Sequence, residues 1–146
     1  MRSNTKVRYG LRTMIQVGLE SDRGILQKEI AKKQEISNKY LDQIIAPLKA
    51  EGLIEKAQNV HSGYVLSRAA SEITVYDIYK AFEPELSIVP CIPDEGKCKR
   101  KNMCAAVHFW SGLNQHIKSY FESQTLKELV DKQEVLNRSN EKAIQE

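Results

Sequence analysis

The stretch that decides the fold runs from Ile25 to Arg68, ILQKEIAKKQEISNKYLDQIIAPLKAEGLIEKAQNVHSGYVLSR. Leu26, Ile30 and Ala31 share one face of a short helix. Glu35, Ile36 and Ser37 make a turn, Ser37 is a good N-cap, and Tyr40, Leu41, Ile44, Ile45 and Leu48 form the buried side of a second helix that Gly52 ends. Pro47, inside that helix, costs one backbone hydrogen bond and is expected to bend or tighten its last turn. Two short helices joined by three or four residues make a helix-turn-helix. GLIEKAQ and GYVLSR place β-formers on either side of a polar tip, NVHS, which predicts a two-stranded hairpin.

Upstream, Val7, Leu11, Met14, Ile15 and Leu19 repeat as the apolar stripe of an amphipathic helix that closes before Gly24. Three helices followed by a hairpin is the order of a winged helix. Downstream, Thr74 and Asp77 form a capping-box pattern that opens a helix with Val75, Ile78, Tyr79 and Phe82 inward, stopping at Pro84. Residues 87–104, SIVPCIPDEGKCKRKNMC, hold two prolines and a glycine with no apolar period and predict a loop. Loops of this length are usually functional or disordered. From about residue 103, Ala106, Trp110, Leu113, Ile117, Tyr120 and Phe121 mark a long amphipathic helix. Thr125 and Glu128 then open a short helix through Leu126, Leu129 and Val130, and the polar tail 131–146 is expected to fray.

The expected fold is mostly α with a small β-hairpin, a winged helix-turn-helix plus a long dimerisation helix. It divides into a DNA-binding domain over 1–84, a cysteine loop over 85–104, the dimerisation helix and a short following helix over 105–130, and the polar tail 131–146. A protruding amphipathic helix on so small a domain favours a homodimer that buries the apolar stripe.

Of the 146 residues, 41% are hydrophobic and 28% charged, an ordinary globular balance. Apolar runs of only a few residues are too short to span a bilayer, and the N-terminus lacks a signal-peptide core, so a cytoplasmic location is expected. Residues 1–68 carry 12 Lys and Arg against 7 Asp and Glu, a balance of +5, while residues 69–146 carry 10 against 12, a balance of −2, giving the net +3. The basic half is the winged half, compatible with a polyanionic partner.

All three cysteines, Cys91, Cys98 and Cys104, fall in the loop. An odd number excludes a fully paired disulfide framework, and the clustering points to a metal or redox site. Structural zinc usually shows a C-x2-4-C knuckle, whereas the spacing here is C-x6-C-x5-C; zinc and a thiol-disulfide switch stay open as alternatives. Lys97, Lys99, Arg100 and Lys101 surround Cys98 and would offset the negative charge of a thiolate-bound group. Cys104 and His108 have helical adjacency, but no orienting third group, glycine-rich phosphate loop or carboxylate pair accompanies them, which argues against an enzyme.

NTKVRYGLRTM, KEIAKKQEISNKYLDQIIAPLKAEGLIE, SGYVLSRAASEITVYDIYKAFE, the three-cysteine loop, HFW and TLKELVDKQEVL, in this order over about residues 2–139, resemble the IscR-type, or BadM-type, winged-helix transcriptional regulators. The resemblance implies a homodimeric repressor or activator that binds double-stranded DNA. In its iron-sulfur branch it implies a 2Fe–2S cluster on three cysteines and one histidine, and control of cluster-assembly genes. Other members of the same fold sense nitric oxide or redox state. The ligands it implies here are Cys91, Cys98, Cys104 and His108. The pattern places histidine three residues after the last cysteine, where this chain has Val107, and His108 follows one residue later, on the same helical face. Relatives that borrow a carboxylate from the first helix have no counterpart, since the first acidic residue here is Glu20.

On the DNA side, Ser37, Asn38, Lys39, Tyr40, Asp42 and Gln43 of the third helix match the family's contacting positions. Gln43 suits adenine, Asp42 can accept from cytosine N4, and Lys39 suits phosphate or guanine. Arg2, Lys6, Arg8 and Arg12 are candidates for backbone phosphates. In the wing, Gln58 replaces the arginine common in the family, leaving Lys56 or His61 to substitute.

Overall fold

A computed structural model of the chain describes residues 4–59, 63–92 and 98–145; Arg2 and His61 lie outside these. The described chain begins with α1 (Thr5–Leu19), α2 (Gln27–Gln34) and α3 (Asn38–Ala50), then strands β1 (Ile54–Lys56) and β2 (Tyr64–Leu66). After a 3-10 turn come α4 (Val75–Lys80), a second 3-10 turn at Lys101–Met103, α5 (Ala105–Ser123) and α6 (Leu126–Gln145). The winged helix is as expected. Asn4 caps α1, Ser37 caps α3 by accepting from the Tyr40 N–H at 3.1 Å, and Glu35 turns the chain between α2 and α3 at φ 54°. Met14, Ile30, Leu41, Ile44 and Leu48 are fully buried, together with Ile73, Ile78 and Leu126 of the segments that follow.

The hairpin is antiparallel, with Ile54 opposite Leu66 and Lys56 opposite Tyr64. A third segment joins it: Ile25 and Tyr64 exchange backbone hydrogen bonds at 3.0 and 2.8 Å. Gly63 permits this approach. Its φ is +79°, and a Cβ there would collide with the Ile25 carbonyl. The wing is thereby fastened to the residues that lead into α2.

The two capping boxes lie side by side. Thr74 and Asp77 exchange bonds at 3.0 and 3.1 Å, Thr125 and Glu128 at 3.4 and 3.3 Å. Between them Val75 N–H donates to the Gln124 carbonyl at 2.9 Å, and Leu126 N–H donates to the Ile73 carbonyl at 2.8 Å. The α5–α6 corner is pinned to the start of α4 by this short ladder.

The tail departs from expectation. Residues 131–145 do not fray but continue α6, which runs unbroken to Gln145. Leu126 and Val130 are buried, and Val130 packs so closely on α1 that a Cβ at Gly18 would stand 2.6 Å from its methyl group. Beyond that anchor the helix is sustained along its own surface by i,i+4 pairs: Lys127 with Asp131 at 2.8 Å, Gln133 with Asn137 at 3.0 Å, Glu134 with Arg138 at 3.5 Å. No proline or glycine interrupts it.

Candidate DNA interface and cysteine loop

α3 turns Leu41, Ile44, Ile45 and Leu48 inward, and this fixes what its other side offers. Asn38, Lys39, Asp42 and Gln43 are all exposed and form one strip at i, i+1, i+4 and i+5. Ser37 is exposed, but its oxygen already accepts from the Tyr40 N–H, leaving the hydroxyl proton to donate. Tyr40 is half-buried, with its ring edge-on to Tyr9 at 5.5 Å, so much of that side chain belongs to the packing of α1 on α3.

Asp42 has a partner that the sequence did not reveal. Gln27, the first residue of α2, donates from Nε2 to the Asp42 Oδ1 at 2.6 Å and approaches the Asn38 carbonyl at 3.5 Å. Gln27 also lines a groove of about 340 Å³ whose other walls come from Leu26 and from the wing residues Lys56, Ala57, Gln58, Gly63 and Tyr64. The exposed strip of α3, Gln27 and the wing thus form one continuous surface.

The basic residues of α1 separate. Lys6 lies at the first turn and is half-exposed. Arg8 is exposed and lines an apolar groove of about 320 Å³ with Val7, Leu11, Tyr120, Phe121 and Leu129, which places it with the α5–α6 corner rather than with α3. Arg12 is exposed and donates to Gln34 Oε1 at 3.0 Å and to the Gln34 carbonyl at 2.6 Å, closing the end of α2, and lies 5.1 Å over the Tyr9 ring. Its geometry is that of a helix-end clamp.

Cys104 is the N-cap residue of α5, Cys98 lies just ahead of the 3-10 turn, and Cys91 is exposed, while Cys98 and Cys104 are half-buried. No disulfide joins them. Val107 is buried, with its N–H on the Cys104 carbonyl at 3.2 Å. The position three residues after Cys104 is therefore committed to the core, whereas His108 is exposed beside the Phe109 and Trp110 rings, themselves 5.0 Å apart and edge-on. Glu20 is engaged elsewhere, with Arg23 at 2.9 Å and Lys33 at 3.1 Å. Its partial burial pushes the carboxyl pKa up, but the two cationic hydrogen-bond partners outweigh this and hold it below the usual range.

The other end of the loop is fastened to α5 by a residue the sequence did not single out. Asn114 donates from Nδ2 to the Leu86 carbonyl at 3.0 Å and accepts from the Ile88 N–H at 3.1 Å. In chemistry the donor set suits a 2Fe–2S group, three soft thiol ligands with one imidazole in reach of the same helix end. In position, no three His, Cys, Asp or Glu side chains are gathered around a metal-sized point among the described residues. Residues 93–97 of the loop lie outside that description.

α5 itself buries only Val107. Phe109 is 62% exposed, Tyr120 65%, and Trp110 and Leu113 more than a third, an apolar face left open on one helix. No helix among the described residues is long and apolar enough to cross a membrane.

Comparison with known proteins agrees with this geometry. A family model described as Rrf2, iron-dependent transcriptional regulator, matches residues 3–132. The chain is 33% identical over 138 residues to the HTH-type transcriptional regulator IscR of Photorhabdus laumondii, covering 94% of this chain and 84% of that protein. Among solved structures, CymR, the global cysteine regulator of B. subtilis, superposes with a TM-score of 0.73 at 30% identity, covering 90% of this chain and 97% of that one. IscR of T. potens superposes with the same TM-score at 26% identity, covering 90% and 88%.

Proposed function

Because the chain belongs to the Rrf2 family of transcriptional regulators, we propose that it acts as a homodimer that reads DNA with α3 and senses iron-sulfur status through its cysteine loop, controlling cluster-assembly genes. The observation that carries the DNA part is the exposed strip Asn38, Lys39, Asp42 and Gln43 on a helix whose opposite side is wholly committed to the core. Such a helix enters the major groove. Gln43 pairs with adenine, Asp42 accepts from cytosine N4, and Lys39 takes guanine or phosphate. Lys6 and Lys56 hold backbone phosphates, each adding about −0.9 to the log-log salt slope. Gln58 carries no charge, so the wing gains less from the negative potential of the minor groove than an arginine would. Pairing two chains through the open face of α5 sets the two reading heads about one DNA turn, roughly 34 to 36 Å, or a multiple of it apart.

Cys91, Cys98 and Cys104 would hold a 2Fe–2S group, with His108 as the fourth ligand. Such a group supplies a one-electron couple and a cross-link that oxidants can remove. Cys104 at the start of α5 and Asn114 ten residues on fasten both ends of the loop to the helix that carries the dimer face. Order in the loop is thereby transmitted to the placement of the two heads, a differential contact of the kind that shifts a two-state equilibrium.

A thiol switch is the second reading, favoured by the likeness to CymR and by the exposure of Cys91. Anaerobic purification decides between them. The cluster reading expects a coloured protein with about two irons and two sulfides per chain, lost in Cys98→Ala. A colourless protein without iron, whose DNA binding follows a reversible thiol oxidation, would establish the switch instead, and a colourless zinc protein would overturn both.

A further inference from the structure

Asp42 raises a physical difficulty in the reading above. It is exposed on the strip of α3 assigned to the major groove, and a carboxylate brought between phosphates is disfavoured unless something holds it to a base donor. Among the described residues no lysine or arginine forms an ion pair with it; its hydrogen bond is to the neutral amide of Gln27 at 2.6 Å. Gln27 stands at the first position of α2, and its amide spans the Asp42 carboxylate and the Asn38 carbonyl on successive turns of α3.

We propose that Gln27 is a positioning residue for sequence recognition: it fixes the Asp42 carboxylate against the first turn of α3, so that Asp42 reads one base donor with its outward oxygen. This rests on the assignment of α3 as the reading helix. Three consequences follow from the geometry. An unheld aspartate samples several χ1 and χ2 states on a helix surface, and the Gln27 bond selects one of them before DNA arrives. With Oδ1 held against α2 by Gln27, Oδ2 is the oxygen turned to the base edge in this reading, which suits the single N4–H that cytosine presents in the major groove. The amide also stabilises the anion without adding a positive charge, so it does not create the charge-driven affinity for any sequence that a lysine at the same place would. Gln27 itself lines the groove toward Lys56 and Gln58, so it lies on the DNA-facing surface rather than beneath it. Periodicity gives no sign of this role, because Gln27 precedes the first apolar position of α2 and meets Asp42 only across the turn.

The test uses the full chain and a pool of short duplexes with randomised sequence, selected at equilibrium and sequenced, for the wild type, Gln27→Ala, Asp42→Ala and the double variant. Asp42→Ala is expected to erase the preference at one base pair of each half-site. Gln27→Ala is expected to weaken that same preference by about two- to tenfold, the range of one hydrogen bond, while leaving the preferences read by Gln43 and the melting temperature unchanged. In the Asp42→Ala background the Gln27 substitution should add nothing. Gln27→Glu, which places a second carboxylate beside the first, should weaken the preference at least as much as Gln27→Ala.

A Gln27→Ala profile identical to the wild type beside an altered Asp42→Ala profile overturns the proposal and leaves the α3 reading standing. A uniform loss at every base pair assigns Gln27 a merely structural role and also overturns it. An unchanged Asp42→Ala profile overturns the reading by Asp42 itself, and the role of Gln27 falls with it.

Discussion

The winged head and α5 are built from the same kind of amphipathic helix, yet only the head finishes burying its apolar side within one chain. α1 and α3 cover Met14, Val17, Leu41, Ile44 and Leu48 completely, and the residues that close that core come from α4 and α6 of the same chain. α5 buries Val107 alone and leaves Phe109, Trp110, Leu113 and Tyr120 in contact with water. Packing density inside the head makes it a rigid reading device. In the proposed function, the open face of α5 is where a second chain and an ordered loop would change the relation between two such devices.

The largest effect should come from attacking the closed side. Leu41→Ala removes a fully buried side chain of α3 and is expected to cost about 2 to 5 kcal/mol of unfolding free energy, measured by denaturant titration. A loss below about 1 kcal/mol would break the contrast. On the open side, Leu113→Asp is expected to weaken self-association by about 2 kcal/mol, roughly thirtyfold, while the head keeps its circular dichroism. Sedimentation velocity over a concentration series reads this, and an unshifted monomer–dimer midpoint would remove α5 from the interface.

A smaller change sharpens the link between the two regions. Asn114→Ala frees the Leu86 carbonyl and the Ile88 N–H, at a cost of about 1 to 2 kcal/mol. Hydrogen exchange at the Ile88 amide should accelerate by a factor of ten or more, and unchanged protection would show that the loop is held by other means.

Smallest is the seam where α4 meets the α5–α6 corner. Burial pushes the Asp77 carboxyl pKa up, but hydrogen bonds from Thr74 and the charges of Lys80 and Arg68 outweigh it and hold the pKa below the ordinary value. A carboxyl depressed in the folded state contributes stability above its unfolded pKa of about 4 and loses it as pH falls through the lowered folded value. Both cations are more than a third exposed, so the contribution is expected to stay under about 1 kcal/mol. Asp77→Asn should flatten stability against pH below about 4 relative to the wild type; parallel curves would contradict this.

These regions also differed in how far they could be read in advance. The head was legible because its signals are local: the apolar periods of α1 and α3, and the caps Ser37, Thr74 with Asp77, and Thr125 with Glu128. What escaped were pairings across the fold made by residues with no period of their own. Ile25 joins the wing through Tyr64, Arg12 closes α2 through Gln34, Gln27 holds Asp42, and Asn114 grips the loop. The continuation of α6 was hidden because a polar tail resembles an unfolded one until its i,i+4 pairs are counted as helix support. In the cysteine loop the residue types pointed to a metal or redox site but left the bound group and its fourth ligand open, and among the described residues no three His, Cys, Asp or Glu side chains gather around one point.

In the proposed function the state of the cysteine loop sets how well the heads bind DNA. The most direct measurement is the affinity of one duplex, taken from the region upstream of the gene, for protein purified anaerobically and for the same protein after the metal is removed by chelation and reduction. Both titrations are run by fluorescence anisotropy at one salt concentration. The two dissociation constants are expected to differ by at least tenfold, about 1.4 kcal/mol, with the difference abolished in Cys98→Ala. Equal constants for the two forms, on a duplex that both bind in preference to random sequence, would contradict it.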